Sequence, residues 1–340
     1  MTENPETTMK RNLSAENLGV TMNRDLAGKS SDVMPEISIV LPCYNESEAV
    51  DSFFERTLPI LDRLALTYEI VCVNDGSKDD TLPKLIKIKE TVPQLKIVDF
   101  SKNFGKDAAM SAGLDFSRGK CVIPMDCDLQ DPPELVPEMV KIWKSQNVEV
   151  VLAKREDRSD DSLAKRLTAW LFYKSFNQFS DLEIPENVGD FRLMDRKVVD
   201  VVKSFHERKR FMKGLFALAG FKTAYVGYKR PVRSEGQSKW NYWKLWNYAL
   251  DGITSFSTFP LKLSTYFGLL VTVLAFLRGS WILVRTLIFG IDVPGYASLM
   301  TAILFFGGVQ LISLGIIGEY LGRIYIETKQ RPLYVVKQVL

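Results

Sequence analysis

The stretch PMDCDLQDPPELV, residues 124–136, sets Asp126, Asp128 and Asp131 directly after a short apolar run. Carboxylates this close repel, and each is costly to desolvate, so the position calls for something positive. The candidates are a metal ion, an arginine cluster, or water at the edge of a sheet. A D-x-D at a strand end suits work on a nucleotide sugar. One carboxylate can ligate a Mg2+ or Mn2+ ion that also holds a diphosphate, while the other orders sugar or ribose hydroxyls. Acidic pairs are common in turns. This one follows a strand pattern, and QDPPEL then begins a helix with prolines in its first turn.

The elements that must carry these residues are legible between 36 and 155. EISIVLP, YEIVCVND, LKIVDFS, KCVIPMD and VEVVLAK are short, rich in β-branched residues and mostly apolar throughout, the pattern of strands buried on both faces. The segments between them are long enough for crossover helices, which predicts a doubly wound α/β sheet. On such sheets ligands bind beyond the carboxyl ends of the strands. Each run ends there in a polar cluster: PCYNESE, NDGSKDD, SKNFGKD, DCDLQD and KREDRSDD. Solvated loops are polar anyway, yet carboxylates, lysines and glycines gathered at every strand end point to one ligand site. Asp75 can meet a base or ribose, and Gly76 lets the chain turn sharply. Lys102, Asn103 and Lys106 lie beside a glycine just before a helix, a place to meet phosphate or sugar oxygens. Arg155 and Arg158 follow the fifth run.

At 340 residues and a net charge of +3, the chain has room for a large domain and more, without the bulk positive charge of a nucleic-acid binder. A single histidine, His206, leaves no basis for a Ser-His-Asp hydrolase or a multi-histidine metal site. Cys43, Cys72, Cys121 and Cys127 lack zinc-finger spacing and fall in or beside strands, so they read as reduced, buried thiols of a cytosol-facing domain. Residues 1–34 are polar, lack the apolar core of a cleavable export signal, and read as a mobile tail.

The far end differs. LSTYFGLLVTVLAFLRGSWILVRTLIFG (263–290) and LMTAILFFGGVQLISLGIIGEYLGRIY (299–325) each exceed the roughly 20 residues that cross a hydrocarbon core. Buried core helices would also be apolar, but two such segments in succession favour membrane spans, at about 263–289 and 299–322. Their connector carries no Lys or Arg, whereas Lys262, Arg323, Lys329, Arg331 and Lys337 flank the pair. The positive-inside rule therefore puts both termini in the cytoplasm. Arg285 can snorkel; Arg278 lies deeper and is expected to face another helix. Gly308, Gly315 and Gly322 share one face, and Gly318–Gly322 forms a GxxxG, which suits close helix packing or a homo-oligomer. SLAKRLTAWLFYKSFNQF (162–179) and SKWNYWKLWNYALDGI (238–253) mix aromatic and basic residues in helical register and suit a membrane interface; packing against the sheet is the plainer alternative. HERKRFMKG and KRPVRSEGQSK between them would face anionic headgroups or an anionic substrate.

Taken in order, PCYNE, NDGS, NFGK, DCDLQDPPE, FRLMDR and RSEGQSK, followed by two spans, resemble the polyisoprenyl-phosphate glycosyltransferases of glycosyltransferase family 2. That group includes the GtrB-type bactoprenol glucosyltransferases and the dolichol-phosphate mannose synthases, and the likeness runs from about residue 36 to the C-terminus. It implies a GT-A fold in a cytoplasmic catalytic domain over 35–237, a juxtamembrane amphipathic helix over 238–261, two transmembrane helices within 262–325 and a cytoplasmic tail over 326–340. It also implies inverting transfer of a hexose to polyprenyl phosphate, with UDP-glucose as first donor and GDP-mannose or a UDP-modified arabinose as alternatives. Carried over by motif, Pro42, Tyr44, Glu46 and Asp75, with Lys102 and Lys106, would hold the nucleotide. Asp126 and Asp128 would hold Mg2+ or Mn2+ and the diphosphate, with Gln130 near the sugar. Arg155 and Arg192 would steady phosphates at the reaction centre; Arg158, Arg233 and Lys239 would hold the acceptor phosphate. Asp157 would position the arginines beside it or act as a base. Two rivals remain. A processive polysaccharide synthase is disfavoured because no Q-x-x-R-W motif is present, and a membrane-anchored nucleotide-sugar-binding scaffold because the acidic motif is intact.

Overall fold

A computed structural model describes residues 34–156, 185, 187–228, 254–290 and 295–340. The chain forms two compact units, one running to Cys127 and including Tyr334–Leu340, the other Asp128–Leu333.

The first unit alternates strand and helix: β1 (Ile37–Cys43), α1 (Val50–Arg63), β2 (Tyr68–Asn74), α2 (Thr81–Thr91), β3 (Leu95–Phe100), α3 (Lys106–Phe116) and β4 (Cys121–Pro124). β1 pairs in parallel with β2 and β4, and β2 with β3. The apolar runs are the sheet's centre; Ile39, Val40, Leu41, Ile70, Val71, Val73, Ile97 and Val98 are fully buried. α1 covers the sheet with Val50, Phe53, Phe54, Thr57 and Leu61, an apolar stripe at helical spacing. From β1 the chain moves outward through β2 to β3, then returns to place β4 on the other side of β1. This reversal opens a crevice at the carboxyl ends of β1 and β4, the place where sheets of this kind bind ligands.

An unforeseen strand, β8 (Val336–Val339), runs antiparallel along β3 at the sheet edge. The sequence reads as a tail there. Leu340 N–H donates to Ile97 O at 2.8 Å, and Ile97 N–H to Leu340 O at 2.9 Å. Tyr334 stacks on Phe100 at 5.0 Å, and its hydroxyl donates to Asp115 at 2.7 Å.

The second unit contains α4 (Val136–Gln146), β5 (Val150–Arg155), β6 (Val188–Asp195), α5 (Arg196–Ser204), α6 (Met212–Leu218) and β7 (Thr223–Tyr228). β5 pairs antiparallel with β6 and parallel with β7, so the sheet arrangement is mixed rather than parallel throughout. All four cysteines are buried and unbridged.

This unit also carries α7 (Phe259–Phe289) and α8 (Tyr296–Thr328), helices of 31 and 33 residues. Leu269, Leu274, Phe276, Leu287, Leu304 and Leu311 on them are each more than half exposed. Helices this long and apolar, with their spans unburied, are candidate membrane spans. Ser264 and Ser313 hydroxyls bond between them at 2.9 Å. Near the other side of that contact the start of α7 and the end of α8 are fastened together: Tyr320 OH donates to Ser257 O at 2.6 Å, and Arg323 Nη1 to Ser255 Oγ at 2.7 Å. Glu327 accepts the backbone N–H groups of Arg208 and Lys209 at 2.8 and 3.3 Å, which binds the end of α8 to the loop before α6. Arg278, expected to face another helix, is exposed on α7, so α8 does not cover it. A Cβ built on Gly308, Gly315, Gly318 or Gly322 meets nothing within 4 Å; the glycine face does not serve the contact inside the hairpin. The segments 162–179 and 238–253 lie outside the described residues.

Candidate active site

In the first unit the loops after β1, β2, β3 and β4 are stitched to one another by polar bonds. Pro42 is the penultimate residue of β1, and Tyr44 and Glu46 follow the strand, all three half-buried. Asn45, at φ 52°, donates its N–H to Ser77 Oγ at 3.0 Å, and its Oδ1 accepts the Lys78 N–H at 2.9 Å. Glu46 N–H donates to Thr81 Oγ1 at 2.9 Å. Asp79 accepts the Ser47 N–H at 3.1 Å, the Thr81 N–H at 3.1 Å and the Thr81 hydroxyl at 2.6 Å. Partial burial would raise the Asp79 carboxyl, but the hydrogen bonds from Thr81 and Ser47 outweigh it and hold the group below its ordinary range. A carboxyl depressed by folding stabilises the fold above its unfolded pKa and loses that contribution as pH falls through its folded value. Asp79→Ala should therefore lower stability by about 1 kcal/mol at neutral pH, partial exposure having been allowed for. The deficit should shrink below about pH 4, which thermal unfolding of the two proteins across an acid series will show.

Asp75, at the end of β2, is 2% exposed. One carboxylate oxygen accepts the Phe104 N–H at 2.6 Å and the other the Gly105 N–H at 2.9 Å, while its own N–H donates to Cys43 O at 2.8 Å. Burial pushes the carboxyl up against the lowering pull of those two amides. Asp75, expected from the sequence to meet a base or ribose, also anchors the loop after β3. Gly76 sits at φ +63°, and a Cβ there would lie 2.4 Å from the carbonyl carbon of Lys102, so the two loops touch backbone to backbone. Lys102 is exposed, with Nζ 5.2 Å from the centre of the Phe104 ring.

That anchored loop delivers Lys106, the first residue of α3, to the acidic motif. Lys106 Nζ lies 2.7 Å from one Asp126 oxygen and 2.8 Å from the other. The lysine side chain is 44% exposed and the aspartate 33%, so the pair faces solvent at the crevice. Cys127 Sγ meets Cys43 Sγ at 3.2 Å, which ties the end of β4 to the end of β1. Sequence alone assigns Lys106 and Asp126 separately. Their pairing depends on the parallel register of strands between them and leaves no local signal.

Asp126 belongs to the first unit, and Asp128 is the first residue of the second. Asp128 Oδ1 accepts the Gln130 N–H at 3.1 Å, closing a turn with Leu129 at φ 56°. A leucine in the left-handed region is held at a cost of about 1–2 kcal/mol, a strain that concentrates where side chains must be aimed. Arg155 ends β5, half-buried. Arg192, on β6, is 7% exposed, with its guanidinium 4.3 Å from the Phe216 ring centre and Nη2 donating to Gly189 O at 2.6 Å. Asp157, Arg158, Arg233 and Lys239 lie outside the described residues. Among the described residues no group of three or more acidic, histidine or cysteine side chains could hold a metal ion unaided.

Two family models match the chain. Glycosyl transferase family 2 matches residues 38–202, and the GtrB C-terminal hairpin matches residues 259–324. An uncharacterized glycosyltransferase of Synechocystis is 54% identical over 304 residues, 89% of this chain and 95% of the relative. The prophage bactoprenol glucosyl transferase homolog of Escherichia coli K12 is 49% identical over 304 residues, 89% and 99% of the two chains. The bactoprenol glucosyl transferase of Shigella phage SfV is 50% identical over 302 residues, 89% and 98%.

Proposed function

The chain belongs to glycosyl transferase family 2 and carries the GtrB-type hairpin, and from that premise we propose that it transfers glucose from UDP-glucose to polyprenyl phosphate at a membrane surface. The observation that carries this reading is the crevice at the ends of β1 and β4. There Asp75, Lys106 and Asp126 converge, in a chain that also bears an unburied apolar hairpin.

The chemistry follows from charge. A phosphate monoester has its second pKa near ~6, so the acceptor is largely dianionic in the cytosol and needs no strong base. An acceptor oxygen attacks the anomeric carbon from the face opposite the leaving group. The bond from that carbon to the nucleoside diphosphate breaks, and the diphosphate departs with the electron pair, inverting the centre. The chain's work is then alignment and charge neutralisation. Pro42, Tyr44 and Glu46 would line the nucleotide, Lys102 and Lys106 would meet its phosphates, and Gln130 would meet the sugar. Arg155 and Arg192, with Arg158, Arg233 and Lys239, would steady the incoming phosphate, and Asp157 would position the arginines on either side of it.

Asp126 and Asp128 fit a hard divalent cation, Mg2+ or Mn2+. Asp126 already attracts a cationic group with both oxygens, and so small a protein donor set suits an ion whose remaining ligands are diphosphate oxygens. When bound, such an ion offsets the charge of the leaving diphosphate.

We place both termini and the catalytic parts in the cytoplasm. The basic flanks of the hairpin support this, and so does the fastening of the start of α7 to the end of α8, which leaves both soluble ends on one side. Arg278, exposed within α7, and the exposed glycine face of α8 support a homo-oligomer in the bilayer.

Purified full-length protein given UDP-[14C]glucose and undecaprenyl phosphate should carry label into the organic phase. Label from GDP-mannose or a UDP-modified arabinose alone would replace the donor. Nucleotide sugar held but never converted would favour the scaffold.

A further inference from the structure

The acidic motif carries a cation of its own. Lys106 Nζ contacts both oxygens of Asp126, and its position follows from a chain of bonds. Buried Asp75 holds the Phe104 and Gly105 N–H groups, Gly105 turns at φ +99°, and α3 then starts at Lys106 beside the end of β4. The lysine is thus fixed by a buried anchor at its backbone, while its side chain is 44% exposed. An ion pair this open contributes only about 0.2–1 kcal/mol, so a stronger partner displaces it.

We propose that Lys106 is a positioning residue that makes divalent-cation binding at Asp126 contingent on the nucleoside diphosphate. Without nucleotide, Lys106 neutralises Asp126 and competes with the ion for the same two oxygens. When a diphosphate arrives in the crevice, its oxygens offer the ammonium a denser negative partner at the first turn of α3, and they supply the ion with further ligands. The lysine passes to the diphosphate, and Asp126 is released to the metal. Ion and nucleotide then bind cooperatively. By linkage each strengthens the other by the same factor, on the order of 5–150-fold for couplings of ordinary size. The inference rests on the placement of the metal at Asp126 and Asp128 given above.

The test measures binding directly. Free Mn2+ is followed by electron paramagnetic resonance while it is titrated into full-length protein in nanodiscs, with and without saturating UDP. Wild type should bind Mn2+ weakly alone and much more tightly with UDP. Lys106→Gln should bind Mn2+ without UDP about five- to tenfold more tightly than wild type, and UDP should add correspondingly less. Lys106→Arg, which keeps the charge, should behave as wild type, which also guards against a fold defect in the glutamine variant. Lys102→Gln removes the same charge four positions earlier and should leave the nucleotide-free Mn2+ affinity within about twofold, because its ammonium does not touch Asp126. An unchanged or weaker nucleotide-free affinity in Lys106→Gln, with wild type still binding Mn2+ in the presence of UDP, overturns this inference and leaves the metal site standing. Absence of Mn2+ binding by every protein with UDP present removes both.

Discussion

Asp128→Ala is expected to lower the rate of lipid glucosylation by at least ~10^3-fold, and excess Mg2+ or Mn2+ should not restore it. Fixed charge aimed at a developing anion is commonly worth ~10^2–10^3 in rate per group, and on the proposed reading the anion is a leaving diphosphate that must depart beside a second phosphate. On the proposed reading Asp128 would have two separable roles. Its Oδ1 accepts the Gln130 N–H and closes the turn at Leu129, while its charge would serve the ion. Asp128→Asn keeps an acceptor at Oδ1 and removes the charge, so it should fold as wild type and still lose most of the rate. Thermal unfolding of both variants alongside initial rates separates the roles. An asparagine variant near wild-type turnover would remove Asp128 as a metal ligand and leave it a turn-former.

The second large effect is expected at Gly76. Alanine there would place its Cβ 2.4 Å from the Lys102 carbonyl carbon and 2.6 Å from the Asn103 nitrogen, and the backbone must hold φ +63° besides. Neither contact is the tip of a flexible side chain that could swing away. Gly76→Ala should cost about 3–5 kcal/mol, the range of strain at a special backbone position combined with a steric clash. For a soluble part of this size that lowers the unfolding midpoint by about 10 °C. What survives should also bind UDP poorly, because the loop pushed aside is the one that carries Lys106. Wild-type stability and UDP affinity in this variant would show that the loops after β2 and β3 do not touch.

The central strands could be read from the sequence because burial on both faces leaves unbroken β-branched runs such as SIVL and EIVCV. The crevice could be placed for a related reason: polar residues that end such runs have nowhere to lie but the carboxyl edge. Three strands were missed, each on physical grounds. β6, VGDFRLMD, mixes charge into its run. β7 is largely open to solvent, with only Val226 buried. β8, VKQV, is four residues long and alternates like any polar tail. The site itself was legible as a set of residues and not as an arrangement. Lys106 and Asp126 are 20 positions apart, and only the order in which β4 returns beside β1 brings them together. Likewise Asp75 could be recognised as important from NDGS, yet that its carboxylate is spent on two backbone amides follows only from where the loop after β3 runs.

β8 has a consequence for how this protein is made. The outward edge of β3 is satisfied by residues 335–340, and Gln338 reaches Asp99 at 3.2 Å, which in turn accepts from Asn74 at 2.7 Å beside the site. During synthesis those residues leave the ribosome after the whole hairpin, long after β3. Until then the edge presents open N–H and C=O groups, the kind of surface that templates aggregation. A polypeptide truncated upstream of β8 has that seam unclosed, and Leu340, whose amide and carbonyl are both in the ladder, helps to close it.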